Sequence, residues 1–377
     1  MANPQPASTQ QGQTLPSTVD ALALVVLVVY QGAETELVIG SGQLIRSAIK
    51  NPSEAPYLYG RLQTLAQQIR TRVRSQVADL AAKVVDEAAR NGNLAAVRAL
   101  KRISTAHPGV RVTTALLPHD RNSARFLAED LARRLDAAAA KIVRFADDAY
   151  RAATVSAALS HILDRATPAQ AQAQAWRELS AKGVTGFTDR TGRNWSLSSY
   201  VEMATRTATQ KAFNASHRDR LTKAGIAYFT ISTTGRPCPL CAPWEGRVLA
   251  EAGAGVATED GHTFEVASTI EEATDAGLFH PNCKHTLTAY LPGITALRKA
   301  TWTGADEDRY KATQKLRALE RQIRSDRLVY ASAVTDLEQA RARQILRSRV
   351  AAAKTYADQN NLLYRARRTA IDLGNRP

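Results

Sequence analysis

All three cysteines of the chain fall within one short interval, as Cys238-Pro-Leu-Cys241 and as Cys283 inside His280-Pro-Asn-Cys283-Lys-His285. An odd number of thiols in 377 residues argues against a disulfide framework. Clustered thiols in a reducing compartment serve more often as metal ligands. Zinc takes four sulfur or nitrogen donors in a tetrahedron, and thiolate with imidazole is its usual set. The 38 residues between the two clusters, 242–279, make a longer loop than a common zinc finger has. Cys238, Cys241 and Cys283 are the candidate ligands, with either His280 or His285 as the fourth. The other histidine would then be an outer hydrogen-bond partner. Three thiolates and one imidazole leave no position for an activating water, so one such zinc per chain would stabilise rather than catalyse. The competing reading is a set of buried thiols beside incidental histidines.

Enzymatic readings of the same residues lack their partners. Pro237-Cys238-x-x-Cys241 matches half of a zinc deaminase signature, which also needs an upstream His-x-Glu or Cys-x-Glu. The nearest candidate, His217-Arg218-Asp219, has no glutamate. No βαβ pattern surrounds the C-x-x-C pair to suggest a thioredoxin-like role. Asp260-Gly261-His262 is mis-spaced for an H-N-H nuclease. A phosphate loop ending in Gly-Lys-Ser/Thr and a Gly-x-Ser-x-Gly elbow are both missing. His107, His119 and His161 are isolated and read as ordinary histidines.

Aromatic residues make up only 6% of the chain, while Ala, Leu, Val, Arg and Gln abound, which favours helices over strands. A formal charge of +15 suits an anionic partner, nucleic acid first among them. Residues 305–377 hold 16 Lys or Arg against 9 Asp or Glu, without the interleaved aromatics that base stacking would use. A solvated helix face explains that excess equally well. The apolar run Ala21–Tyr30 sits among 13 uncharged residues between Asp20 and Glu34, short of the roughly 20 that span a bilayer. No basic residue precedes it, as a signal peptide would require. It reads as a buried first helix capped by Ser17, Thr18 or Asp20, although its valines also suit a strand.

Residues 1–16 lack a hydrophobic pattern and read as a flexible tail. Between Leu58 and Leu100, Leu62, Leu65, Ile69, Val73 and Val77 recur at helical spacing, and Pro52 and Pro56 set this helix off from the first. Pro108 and Pro118 mark the next break, and Ala124–Leu159 is again amphipathic. Gly183, Gly186 and Gly192 signal turns before Trp195. Ser198–Ala224 reads as a capped helix ending at Gly225, and Ile226–Ser232 as a strand that leads to Cys238. From Ala305 to Leu373 there is neither glycine nor proline, so long helices are expected with a break at Asn360-Asn361. Leu316, Ile323, Tyr330 and Leu337 recur every seven residues, but the second seam (Asp326, Ala333 and Ala340 after Leu319) is weak. That favours packing against another helix over a self-associating coiled coil.

With these residues in view, the chain resembles the phage minor capsid protein 2 family, which is related to the Mu F-like head morphogenesis proteins. The likeness runs through Gly192-Arg-Asn-Trp195-Ser-Leu197, Tyr200-Val-Glu-Met203 and Arg206-Thr207. It continues in Cys238-Pro-Leu-Cys241-Ala-Pro-Trp244-Glu-Gly246, Gly277-Leu-Phe-His280-Pro-Asn-Cys283-Lys-His285, Tyr290-Leu-Pro-Gly293, Tyr310–Gln314 and Leu319–Arg324. It is specific over 190–325 and diffuse over 18–190. The resemblance implies a low-copy head component of a tailed phage, made in the host cytoplasm and placed in the virion near the portal vertex. It also implies a metal-binding Cys/His cluster, with position 285 favoured as a ligand because relatives often carry cysteine there.

The expected fold is mainly α: a helical N-terminal region and long C-terminal helices flank a small α+β zinc-binding module. The expected divisions are a tail at 1–16, a helical domain at 17–165, a Mu F-like module with the zinc cluster at 166–295, and basic helices at 296–377. The expected function is non-enzymatic, in head assembly and DNA packaging or delivery. The expected partners are the portal protein and the capsid shell, with packaged double-stranded DNA a further candidate and no membrane. The alternatives are a basic DNA-binding virion protein and a zinc-dependent enzyme or effector.

Overall fold

The computed structural model describes residues 14–107, 112–113, 121–163, 167–185, 187–188, 194–233, 237–297 and 302–371. The protein is mainly α-helical with a small mixed sheet. Four long or medium helices open the chain: α1 (Thr14–Lys50), α2 (Leu58–Ala106), α3 (Arg121–Leu163) and α4 (Pro168–Lys182). A two-stranded ribbon follows, β1 (Phe187–Thr188) with β2 (Asn194–Trp195), then α5 (Leu197–Thr222). Next come β3 (Tyr228–Ile231), β4 (Val248–Ala250), β5 (Gly255–Glu259), β6 (His262–Thr269), α6 (Ile270–Asp275) and β7 (Leu287–Tyr290). Helices α7 (Gly304–Ala331), α8 (Asp336–Gln359) and α9 (Ala366–Thr369) close it. The sites of Pro108, Pro118, His119, Gly186 and Gly192, and residues 1–13 of the expected tail, lie outside the described residues.

The chain forms two compact units, each drawn from three separate stretches. One comprises residues 1–24, 81–131 and 203–310, the other 25–80, 132–202 and 311–377. In the second unit, α2 buries Leu62, Ile69, Val73 and Val77 at the spacing the sequence shows. An alanine-rich face of α3 (Ala138, Ala139, Ala146, Ala149) is buried around Ile142 and Phe145. Tyr30 buries its ring there and donates from its hydroxyl to the Leu135 carbonyl at 2.6 Å. Trp176 stands edge-on to Phe145 and donates Nε1–H to the Ser332 carbonyl at 2.7 Å. The buried Glu34 carboxylate accepts from the Val184 N–H at 3.3 Å and from the Ser198 hydroxyl, with the Arg324 guanidinium 3.7 Å away. A buried carboxylate needs such partners to offset its lost hydration.

Three expectations change. Helix α1 runs from Thr14, so Ser17, Thr18 and Asp20 lie inside it rather than at its start. Asp20 instead pairs with Arg206 at 3.0 Å and Lys284 at 2.8 Å, which lets a charge sit in an apolar helix. The helix also runs through Gly32, Gly40 and Gly42 to Lys50. Among the described residues it alone is long and apolar enough to cross a membrane by composition, yet half of its most apolar stretch is buried within the fold. The break at Asn360-Asn361 is present, with Asn361 at φ +50°. A second break at Ser332–Thr335 was not anticipated. There the Thr335 hydroxyl accepts from the Glu338 N–H at 3.3 Å and starts a new helix. Thr335-Asp-Leu-Glu338 is a capping-box pattern that the seven-residue repeat obscured. The repeat therefore does not form one seam: Leu316 and Ile323 are buried on α7, while Leu337 on α8 is 53% exposed.

In the first unit the five-stranded sheet runs in the order β5-β6-β4-β3-β7, antiparallel except for the β4–β6 pair. Asp260 and Gly261, both at positive φ, make the tight β5–β6 turn, so this Asp-Gly-His is hairpin chemistry. Helix α6 begins with a capping box between Thr269 and Glu272. The sheet packs Ile226, Phe229, Leu249 and Leu287 against Ala96 and Leu100 of α2 and Leu221 of α5. Cys241 and Cys283 belong to this same core cluster.

Candidate metal centre

Strand pairing assembles the centre. β3 and β7 are antiparallel, with Ile231 opposite Leu287. The segment leaving β3 and the segment entering β7 therefore meet at one end of the sheet. The pairing extends past the strands, where Ser232 N–H donates to the Thr286 carbonyl at 2.8 Å. The 38 residues between the ligand clusters are not a bare loop. They contain β4, β5, β6 and α6, a closed excursion that begins and ends beside β3.

Each cluster is a tight turn. Cys241 N–H and Ala242 N–H both donate to the Cys238 carbonyl, at 3.1 and 2.9 Å, which brings the two thiols of the first cluster inward. Pro243 then fixes a 3-10 turn, and Trp244 packs against the core beside it. In the second cluster Cys283 N–H donates to the His280 carbonyl at 2.9 Å. Phe279 and Asn282 flank it at φ +58° and +68°, and Asn282 is held by Arg206 at 3.2 Å. The carbonyl of His285 accepts from Gln210 and Asn214, one turn apart on α5, each at 3.2 Å.

All five donors named from the sequence are thus brought together, in two groups that share Cys241. Cys238, Cys241 and His280 lie within 4.8 Å of one another, and so do Cys241, Cys283 and His285. Cys241, Cys283 and His285 are buried, whereas Cys238 and His280 are half-buried. Cys238 Sγ is 2.8 Å from His280 Nε2, Cys241 Sγ is 3.6 Å from Cys283 Sγ, and Cys283 Sγ is 3.4 Å from His285 Nδ1. No two of the three cysteines are disulfide-bonded.

The metal-free electrostatics favour a cation. Cys241 shares hydrogen bonds with both other sulfurs. With help from His280 and His285, and against burial, this draws Cys238 and Cys283 down to about 4. Cys241, the shared donor, is pushed far up for the same reason. Burial works against an imidazolium at His285, but hydrogen bonds to Cys283 and Glu245 overcome it and raise it to about 9. His280 is raised by its bond to Cys238. Two ionised thiols next to protonated donors form a set that a divalent cation can enter by displacing protons. The residues fit a metal, and the donor chemistry suits zinc.

The sequence reading missed Glu245. Its Oε1 lies 2.8 Å from His285 Nε2 in a nearly water-free contact. Its proximity to Cys241 along the chain was the only available signal. His217, weighed as part of a deaminase element, is instead a buried core histidine. It stacks on Phe213 and bonds through Nδ1 to the Gly92 carbonyl at 3.1 Å. Arg218 pairs with Glu251 and Asp219 with Lys223. His262 is exposed in the hairpin and His107 at the end of α2, while the side chain of His161 lies outside the described residues.

Neither a curated protein nor a solved structure matches the chain. A family model described as phage minor capsid protein 2 matches residues 19–358, which take in most of the helices, the sheet and both ligand clusters. On that match across nearly its whole length, the chain belongs to the phage minor capsid protein 2 family.

Proposed function

We propose that this head protein works near the portal vertex as a non-enzymatic component of head assembly and of DNA packaging or delivery, in contact with the portal protein and the capsid shell. One zinc per chain would clamp the strand ends of the small sheet. The observation that carries this reading is the burial of Cys241 and Cys283 in the core cluster of the first unit. A metal there replaces apolar contacts that so small a sheet cannot supply by itself. The resemblance to Mu F-like head morphogenesis proteins read from the sequence motivates the placement, and α1 is read as a core helix. The ligand-bearing residues would hold the ion, which supplies cross-linking and charge neutralisation. Glu245 is bonded to His285, which fits a role in holding that ring.

The test is to quantify the chain and the portal protein in purified virions, with zinc measured per chain. A copy number near that of the portal and about one zinc supports the reading. Absence from virions, or a loaded site with only three protein ligands and a bound water, overturns it.

A second, compatible reading is contact with packaged DNA, favoured by one face of α8. Residues 339–357 hold five Arg or Lys and no Asp or Glu. Arg341 pairs with Glu338 and Arg349 with Asp326. Arg343, Arg347 and Lys354 are exposed and have no ion-pair partner among the described residues. At helical spacing they lie within an arc of roughly 40° and along roughly 16 Å. Such a row matches phosphates rather than bases. Three contacts give a slope of about −2.7 in log affinity against log salt. Replacing all three residues by Gln should flatten that slope, and an unchanged slope discards this reading.

A further inference from the structure

We propose that the metal is held by Cys238, Cys241, Cys283 and Nδ1 of His285, that Glu245 is the residue that positions His285, and that His280 stays outside the ligand set. This rests on the reading that the cluster binds a metal; it derives from geometry a choice of histidine that the resemblance only favoured, and it adds Glu245 to the site.

Distances separate the two rings. With metal–sulfur and metal–nitrogen bonds of about 2.3 and 2.05 Å, two ligands on one tetrahedral ion stand roughly 3.8 Å apart for sulfur pairs and roughly 3.5 Å for sulfur and nitrogen. Cys238 lies within 4.8 Å of Cys241 but not of both Cys283 and His285, so it must turn to join them, whereas Cys241 and Cys283 at 3.6 Å, and Cys283 and His285 Nδ1 at 3.4 Å, already approach those edges. Cys238 and His280 Nε2 at 2.8 Å do not. That separation is a hydrogen bond from an imidazole to a thiolate, the contact of an outer partner that tunes a ligand.

The surroundings separate them again. A ligating histidine needs its second nitrogen tied down, so that its tautomer and its ring plane are set before the ion arrives. Glu245 does this for His285: its carboxylate takes the Nε2–H at 2.8 Å, which turns Nδ1 toward Cys283, where a metal would replace the Nδ1 proton. The backbone of His285 is anchored too, with its carbonyl held by Gln210 and Asn214. The pair is shut off from water, with 3% and 12% of the two side chains exposed. His280 is half-buried, and among the described residues the only other hydrogen bond of its ring is from Nδ1 to the carbonyl of its own neighbour Pro281 at 2.8 Å. One histidine is built into the fold on three sides, and the other rests at its edge.

The full-length protein, stripped of metal, would be titrated with cobalt(II), whose charge-transfer absorption grows with each bound thiolate. The wild type should show the spectrum of three thiolates and one nitrogen in a tetrahedral field. His285→Cys should add a fourth thiolate and raise the charge-transfer intensity by about a third, whereas His280→Cys should leave it unchanged. Glu245→Gln should weaken cobalt by about 10- to 100-fold while keeping the wild-type band shape. His280→Gln should bind within a few-fold of wild type. If His280→Cys gains the intensity and His285→Cys does not, or if Glu245→Gln binds as tightly as wild type, the inference is overturned. A wild-type chain that gives no cobalt spectrum sinks the metal reading itself, a different failure from a misassigned histidine.

Discussion

Gly92 lies in the middle of α2, where helix propensity alone says that alanine would be better by about 1 kcal/mol. The structure reverses the sign. A Cβ built at Gly92 would stand 2.2 Å from the Phe213 carbonyl oxygen of α5 and 3.1 Å from its Cα. Both obstacles are backbone, so no side chain can rotate away. The two helices would have to part by roughly 1 Å, well beyond what packed atoms give up without losing contact energy. That parting would loosen Ala95 on Phe213 and Ala96 and Leu100 on Leu221, and would strain the 3.1 Å bond from His217 to the Gly92 carbonyl. Overpacking of this kind costs about 1–3 kcal/mol net. Gly60, in the first turn of the same helix, meets nothing within 4 Å. Gly60→Ala should therefore stabilise by about 0.5 kcal/mol. The assay is urea unfolding followed by circular dichroism, with hydrogen exchange to show which amides lose protection. The reasoning fails if Gly92→Ala is as stable as wild type, or if its lost protection falls outside residues 81–131 and 203–310.

Three further outcomes are expected. Burial lowers His217 to about 4 from 6.5, so the unfolded chain binds its proton first as pH falls. This contribution is intact above about pH 6.5 and is lost as pH drops through 4, about 3 kcal/mol in all. The wild type should lose stability in that window faster than His217→Gln, and parallel pH profiles would refute the assignment. Tyr30→Phe removes the 2.6 Å bond to the Leu135 carbonyl and should cost about 1 kcal/mol in urea unfolding, whereas a neutral result would mean that the hydroxyl contributes nothing. Cys241→Ser, or chelation of the wild type, should abolish protection in β3, β4 and β7 while α3 keeps its own; unchanged melting in both would rule out a structural metal.

The helical spacing of Leu62, Ile69, Val73 and Val77 was readable because one face of one helix is a local property, visible in any window of a dozen residues. The start of α1 was misplaced for the same reason. Ser17, Thr18 and Asp20 look like caps locally, and only the cations Arg206 and Lys284 from distant stretches let Asp20 sit inside the helix. The break at Ser332–Thr335 had a local signal, but the Trp176 N–H that takes the Ser332 carbonyl comes from 156 residues away.

The Cys/His cluster shows the same division. Sequence alone determined the donor inventory, because thiol and imidazole chemistry belongs to the residue wherever it stands. It also limited each cluster to a turn, through the short spacing and the flanking prolines. Donor chemistry gave no means of choosing between His280 and His285, which differ by only five positions, and the family resemblance only leaned toward 285. That distinction comes from β3 pairing with β7, from α5 supplying Gln210 and Asn214, and from Glu245 closing over the ring of His285. Those contacts join residues 40 to 75 positions apart. No local periodicity encodes such separations; they exist only once the sheet has brought its strand ends together.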